Sequence, residues 1–217
     1  MLQAKAAGAD VRMLYSPLEA VQIATLEPNK QVVFFAVGFE TTAPANALSV
    51  LQAQQLGLTN FSLLTSHVLV PPAIEAIVSN PDNVVQGFLA AGHVCSIMGL
   101  SAYSPIVQRY RLPIVVTGFE PVDLLQGILM LVRQLENKEH KLENQYSRVV
   151  PENGNPAAQQ VIAQVFEIAD REWRGIAHIP NSGYELKEQW KAFDANQKFV
   201  IPATPVAAAN ACIAGTI

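Results

Sequence analysis

Two acids and two hydroxyls follow apolar runs at matching places in this chain. Residues 32–42 read VVFFAVGFETT and residues 114–121 read IVVTGFEP. Each run stops at Gly-Phe-Glu, first Gly38-Phe39-Glu40 and then Gly118-Phe119-Glu120. An unbroken, β-branched apolar run suits a strand buried on both faces of a parallel sheet. Ligands of open α/β sheets bind beyond the carboxyl ends of such strands. Glu40, Thr41, Thr42 and Glu120 are therefore candidates to line a cleft. There a carboxylate can bind metal or accept a proton, and a hydroxyl can hold an anion or ligate a cation. The plainer reading is that each acid caps or braces the following helix.

His67 and His93 each follow a predicted strand and join the candidates. His93 lies two residues before Cys95, and alternation along a strand would put both on one face. A His-x-Cys pair suits a soft metal, yet two ligands do not make a site. Hydrogen-bonded structural histidines and a buried thiol are the plainer readings. The chain contains no GxGxxG, GxxxxGK[ST], GxSxG, HExxH or CxxC, which counts against nucleotide, hydrolase and zinc chemistry.

Strands and helices alternate around these residues. Strands are expected at 11–15, 32–37, 61–66, 85–90 and 113–117. Helices are expected at 2–9, from Pro17 to about Leu26, and at 44–56, 71–79, 103–110 and 122–136. The chain thus reads as opening inside a βα unit, with no strand before its first helix. Short loops and this alternation imply βαβ units and a parallel sheet. The fold class is α/β: two similar Rossmann-like βαβ lobes, plus an irregular, α-rich C-terminal segment. The lobes divide as 1–68 and 69–150, and 151–217 follows as helix and loop. A helix is expected over 157–170, and Trp173, Arg174 and Trp190 fall in a stretch rich in Gly and Pro.

The 217 residues are half hydrophobic and 15% charged, with a net charge of −4. That composition argues against disorder. No Lys/Arg block suggests nucleic acid, no apolar run reaches membrane-spanning length, and no signal peptide is evident. Two cysteines, Cys95 and Cys212, make no disulfide framework. A reduced, cytoplasmic protein is expected.

Several motifs in order carry a family resemblance: GFETTAP (38–44), HVLVPPA (67–73), GFLAAGHVCSIMG (87–99), PIVVTGFEPVDLLQGI (113–128), NQYSRVV (144–150) and WRGIAHIPNSGYEL (173–186). Together they resemble HypD, a family that matures [NiFe]-hydrogenases. The resemblance implies two similar α/β lobes and an iron–sulfur region. It also implies a scaffold that works with HypC, carrying iron while HypE delivers cyanide and carbon monoxide is added to give Fe(CN)2CO.

The family's Cys-Gly-x-His and Gly-Pro-Gly-Cys-Pro-x-Cys motifs are absent here. Cys212 resembles the first cysteine of the family's [4Fe–4S] region. Cys95 stands where serine is usual, Ala91 where proline is, and Asn196 where glutamate is. The chain is accordingly expected to be a fragment, more assembly scaffold than self-sufficient enzyme, with no cluster of its own. The rival expectation is an independent α/β enzyme or small-ligand binder using the same cleft.

Overall fold

The computed structural model describes residues 2–173 and 175–201. Its order is α1 (Leu2–Ala6), α2 (Pro17–Leu26), β1 (Val32–Gly38), α3 (Ala43–Gln55), β2 (Phe61–His67), α4 (Val70–Val78), β3 (Phe88–Ala91), α5 (Gly92–Met98), α6 (Ser104–Tyr110), β4 (Ile114–Thr117), α7 (Pro121–Glu136), β5 (Leu142–Asn144), α8 (Pro156–Val165), β6 (Phe166–Trp173) and β7 (Ala177–Leu186). A 3-10 turn, Glu188–Phe193, and α9 (Ala195–Lys198) follow.

The α/β class holds, with two parallel sheets. β1 pairs with β2 from Val32↔Phe61 to Gly38↔His67. β4 lies between β3 and β5 in the second sheet. All four residues of β4 are buried, as its apolar run requires for a central parallel strand. β1 departs from that rule: its core side is covered, whereas Val33, Phe35 and Val37 are exposed.

Local chemistry sets the helix starts. Ser16 accepts the Leu18 amide at 3.2 Å, with Pro17 in the first turn. Asn155 accepts the Ala158 amide at 3.1 Å, again followed by proline. Both are side-chain N-caps on a proline-opened first turn.

Two hydrophobic cores form. The first gathers Val50, Phe61 and Leu63 with Ile162, Val165, Phe166, Leu186 and Phe193. The second gathers Ile74, Tyr103, Ile106, Ile114 and Val116. The described part of the segment after residue 150 therefore packs largely on the first sheet.

Two expectations about elements fail. Residues 11–15 are not a strand; the stretch has strand-like composition, but Met13 and Tyr15 are exposed and no ladder partner adjoins it among the described residues. The helix expected to reach 170 stops at Val165, and 166–186 is an antiparallel hairpin rather than helix and loop. Pro180 reads as a strand breaker, but the ladder shifts register between Ala169 and Arg171. An irregularity of that kind accommodates a proline. Asn181 sits there with φ +53°, and its amide donates to Asp170 at 2.9 Å.

Asn60 ties α2 to the sheet. Its side-chain nitrogen lies 2.8, 3.2 and 3.0 Å from the carbonyl oxygens of Ala24, Glu27 and Lys30. These carbonyls at and beyond the helix end have no intrahelical donor. Asn60→Ala should lower the free energy of unfolding by about 1–3 kcal/mol, the cost of stranding the buried Ala24 carbonyl. Urea denaturation followed by circular dichroism measures this, and an unchanged midpoint would contradict the role.

Candidate functional site

The first Gly-Phe-Glu turn is bent by Gly38, whose φ of +150° disfavours a side chain. A Cβ there would also strike the Thr42 hydroxyl. The Thr42 amide and hydroxyl both donate to the Phe39 carbonyl, each at 3.1 Å. The turn throws Phe39 and Thr41 outward and Glu40 inward. Glu40 is 2% exposed, and its Oε1 accepts the Val70 amide at 3.0 Å, at the first turn of α4. A carboxylate suits a helix N-terminus. The helix it braces is not the following one, α3, but α4, across the space between the sheets.

Oε2 of Glu40 has no partner among the described residues. Burial pushes the Glu40 carboxyl above its ordinary value. Burial first, and then any charge on Glu40, raises the Cys95 thiol and the Tyr103 and Tyr184 hydroxyls.

The second turn repeats the sequence but not the outcome. Glu120 is exposed at the start of α7 and makes no side-chain cap. Its only ionic neighbour among the described residues is Arg148, 3.9 Å away. The acid that is held here is Asp123. Arg148 grips it with two bonds, of 2.7 and 2.6 Å, and Gln145 donates to it at 2.9 Å. These donors, Arg148 first, hold the Asp123 carboxyl below its usual range. Gly118 is required by this arrangement, because a Cβ would meet the Asp123 carboxylate and the Tyr146 ring.

A cleft of about 590 Å³ opens between the two turns. Phe39 and Thr41 come from the first, Phe119 from the second, and His93 and Ser96 from α5. The His93 ring lies 4.7 Å from Phe119 and 6.2 Å from Tyr146, centroid to centroid. Of the candidates read from sequence, Thr41 and His93 line this cleft. Glu40, Thr42, His67 and Glu120 do not. The sequence points to the glutamates, whereas the structure puts the phenylalanine between each Gly and Glu in the cleft; the repeat of Gly-Phe-Glu is the signal for both.

His67 is buried behind the first turn. Its Nε2 lies 2.8 Å from the Asn46 side-chain nitrogen and 3.1 Å from the Thr42 hydroxyl. Burial, with Arg171 nearby, draws its value down to about 4, so the imidazole is neutral at pH 7. His93 and Cys95 do not share a face, because Gly92–Met98 is a helix and not a strand. His93 is exposed and Cys95 fully buried. Burial pushes the Cys95 thiol up to about 11, the opposite of what a thiolate ligand needs. Cys212 lies outside the described residues. Among the described residues no group of three or more His, Cys, Asp or Glu could hold a metal ion. A [4Fe–4S] cluster takes four thiolates, and the residues described here do not fit one. Among them, no helix is long and apolar enough to cross a membrane.

A family model described as "HypD: Hydrogenase formation hypA family" matches residues 1–217. A hydrogenase maturation factor HypD of Azotobacter vinelandii is 44% identical over 218 residues, covering 98% of this chain and 58% of that protein. The Escherichia coli (strain K12) protein of the same description is 46% identical over 200 residues, covering 92% and 54%. One from Rhodobacter capsulatus gives 46%, 92% and 53%. The chain thus spans a little over half the length of these relatives.

The buried Glu40 gives a pH signature. Its folded value lies above the ordinary 4.5, so the folded protein keeps a proton that the unfolded chain releases. Stability is then fully present below 4.5 and declines as pH rises through the folded value. Glu40→Gln removes that decline. The variant should melt higher than the wild type at pH 8, with the gap closing towards pH 4.5. A constant gap across that range would show that Glu40 is not held in its raised state.

Proposed function

The chain belongs to the HypD hydrogenase formation family, and from that premise we propose that its cleft shelters the Fe(CN)2CO unit during [NiFe]-hydrogenase maturation. The observation that carries the reading is the composition of the cleft. Two phenylalanines and four aliphatic residues, Val70, Ala91, Val94 and Ile97, surround one imidazole and the hydroxyls of Thr41 and Ser96. Cyanide bound to iron keeps a nitrogen lone pair that accepts hydrogen bonds, whereas bound carbon monoxide is a poor acceptor suited to an apolar wall. A cleft of this kind distinguishes the two by which wall each faces.

In this reading the iron is cargo, and its ligands come from the family's cysteine motifs, which these residues do not include. His93 and Thr41 act on the unit's outer atoms, as donors. Phe119 packs against the His93 ring at an interplanar angle of 49° and so holds its orientation. HypC and HypE are the proposed partners, the first sharing the iron and the second delivering cyanide. The protein works as an assembly scaffold, and this chain by itself carries no iron–sulfur cluster.

Two measurements test the reading. His93→Ala, placed at the matching position of a full-length relative, should reduce matured hydrogenase about tenfold or more, the loss of one hydrogen bond to a charged unit. The melting temperature should stay within a few degrees, because His93 is on the surface. Normal maturation in that variant would overturn the site. Separately, anaerobic reconstitution of the 217-residue chain with iron and sulfide should leave no thiolate-cluster absorption near 400 nm. A stable cluster in monomeric protein would refute the statement that it carries none.

A further inference from the structure

Tyr146 stands behind the cleft lining, fitted against the residue that carries the cleft's imidazole. Its ring sits against two glycines. A Cβ on Gly92 would come within 2.6 Å of the ring's Cδ1, and a Cβ on Gly118 within 2.8 Å of Cε2, the opposite corner. Glycine at both positions is what lets the ring in. Gly118 lies in the turn after β4, and Gly92 opens α5 with His93 as its second residue. The ring is therefore wedged between the end of one element and the start of another, beside the backbone that bears His93. It lies 6.2 Å from the imidazole, centroid to centroid, with the planes tilted by 49°, inside the range of about 4.5–7 Å for aromatic pairs.

The segment that supplies Tyr146 is itself fastened down. The Gln145 amide donates to the Val116 carbonyl at 2.9 Å, and the Tyr146 carbonyl accepts the Val149 and Val150 amides at 3.0 Å each. The Asn144 side chain donates to the Val150 carbonyl at 2.9 Å. Residues 144–150 thus form a closed turn tied to β4. Over the Tyr146 ring lies the Arg148 guanidinium, its central carbon 4.5 Å from the ring centroid, a cation–π contact.

Asp123 sets the plane of that guanidinium. The Arg148 side chain is half exposed, whereas the Asp123 carboxylate is buried, and the two parallel bonds of 2.7 and 2.6 Å leave the fork one orientation. The pair carries no net charge, so what Arg148 brings to the cleft is shape, a flat plate on Tyr146. A lysine would keep the charge and lose both the fork and the plate.

We infer that Tyr146 is a positioning residue for His93, and that Asp123 and Arg148 act on the cleft through it. The contacts run in order from Asp123 in the first turn of α7, through Arg148 and Tyr146, to the imidazole at the cleft. Phe119, 4.7 Å away, is one ring beside that imidazole, and Tyr146 is the second. One neighbouring ring leaves an exposed imidazole free to turn; two at different angles hold it. A side chain held in place before its partner arrives loses less freedom on binding. That His93 donates to the cleft's occupant rests on the function proposed above, whereas its placement by Tyr146 does not.

NMR of the 217-residue chain tests the placement with nothing bound. Nuclear Overhauser contacts between the His93 and Phe119 rings report the imidazole's orientation. Tyr146→Phe keeps the ring and should leave them as in the wild type. Tyr146→Leu should abolish them while the β4 amide signals stay in place. Arg148→Lys, a change at the surface, should weaken them too, and it decides the matter if Tyr146→Leu does not fold. His93–Phe119 contacts unchanged in the folded Tyr146→Leu protein, or in Arg148→Lys, would overturn the inference. A double-mutant cycle in a full-length relative, at the matching positions, asks whether Tyr146 works through His93. Tyr146→Leu should reduce matured hydrogenase about tenfold, as removing an orienting partner does. Added to His93→Ala it should cost nothing further, and losses that multiply would also overturn the inference. Loss of the ring contacts with normal maturation would uphold the placement and count against the function proposed for His93.

Discussion

A carboxyl group shut away from water, between the turn after β1 and the first turn of α4, holds the arrangement together. Glu40 arises from the first sheet's turn and accepts a hydrogen bond from the Val70 amide of the helix that leads into the second. Both sides of this contact are constrained. Gly38 must be glycine for the turn to form, and the Val70 amide has no helical partner of its own. The bond fixes where α4 starts, and α4 carries Ile74 and Val78 into the second core. A buried acid with one unpartnered oxygen is costly, and the site tolerates it by favouring the protonated form.

That contact sets the geometry of the cleft. With Glu40 turned inward, Phe39 and Thr41 on either side of it are turned outward. The second turn reaches the same outward Phe by another route. There Asp123 is the inward acid, gripped by Arg148, and Glu120 is left in solvent. The two turns are alike in presenting an aromatic ring to a shared space and unlike in how each is braced. His93 stands beside Phe119 because α5 begins directly at the end of β3, so its second residue faces the opening while Cys95 faces the core.

The first sheet shows the same dependence on neighbours. β1 and β4 have similar sequences, yet β4 is buried throughout and β1 has one open face and one open edge. Arg12 and Lys30 pair with Asp10 and Glu27 near that edge, and residues 10–15 form no ladder with it. The hairpin β6–β7 covers the other side of the sheet and adds Phe166 and Leu186 to the core.

The sequence by itself determined the alternation of strands and helices, because apolar periodicity, proline-opened first turns and N-caps at Ser16 and Asn155 act within a few residues. It marked both Gly-Phe-Glu turns as the place for a site, since glycine after an apolar strand is a local signal. The hairpin was not legible, because Pro180 and Gly183 carry the same local signal in a loop as in an irregular ladder. Nor was the fate of each acid. Glu40 and Glu120 have the same preceding residues, and only the tertiary structure decided that one meets the amide of Val70, thirty residues away, while the other meets solvent. Burial and partnership are properties of what a side chain faces, and facing is settled by packing between distant segments.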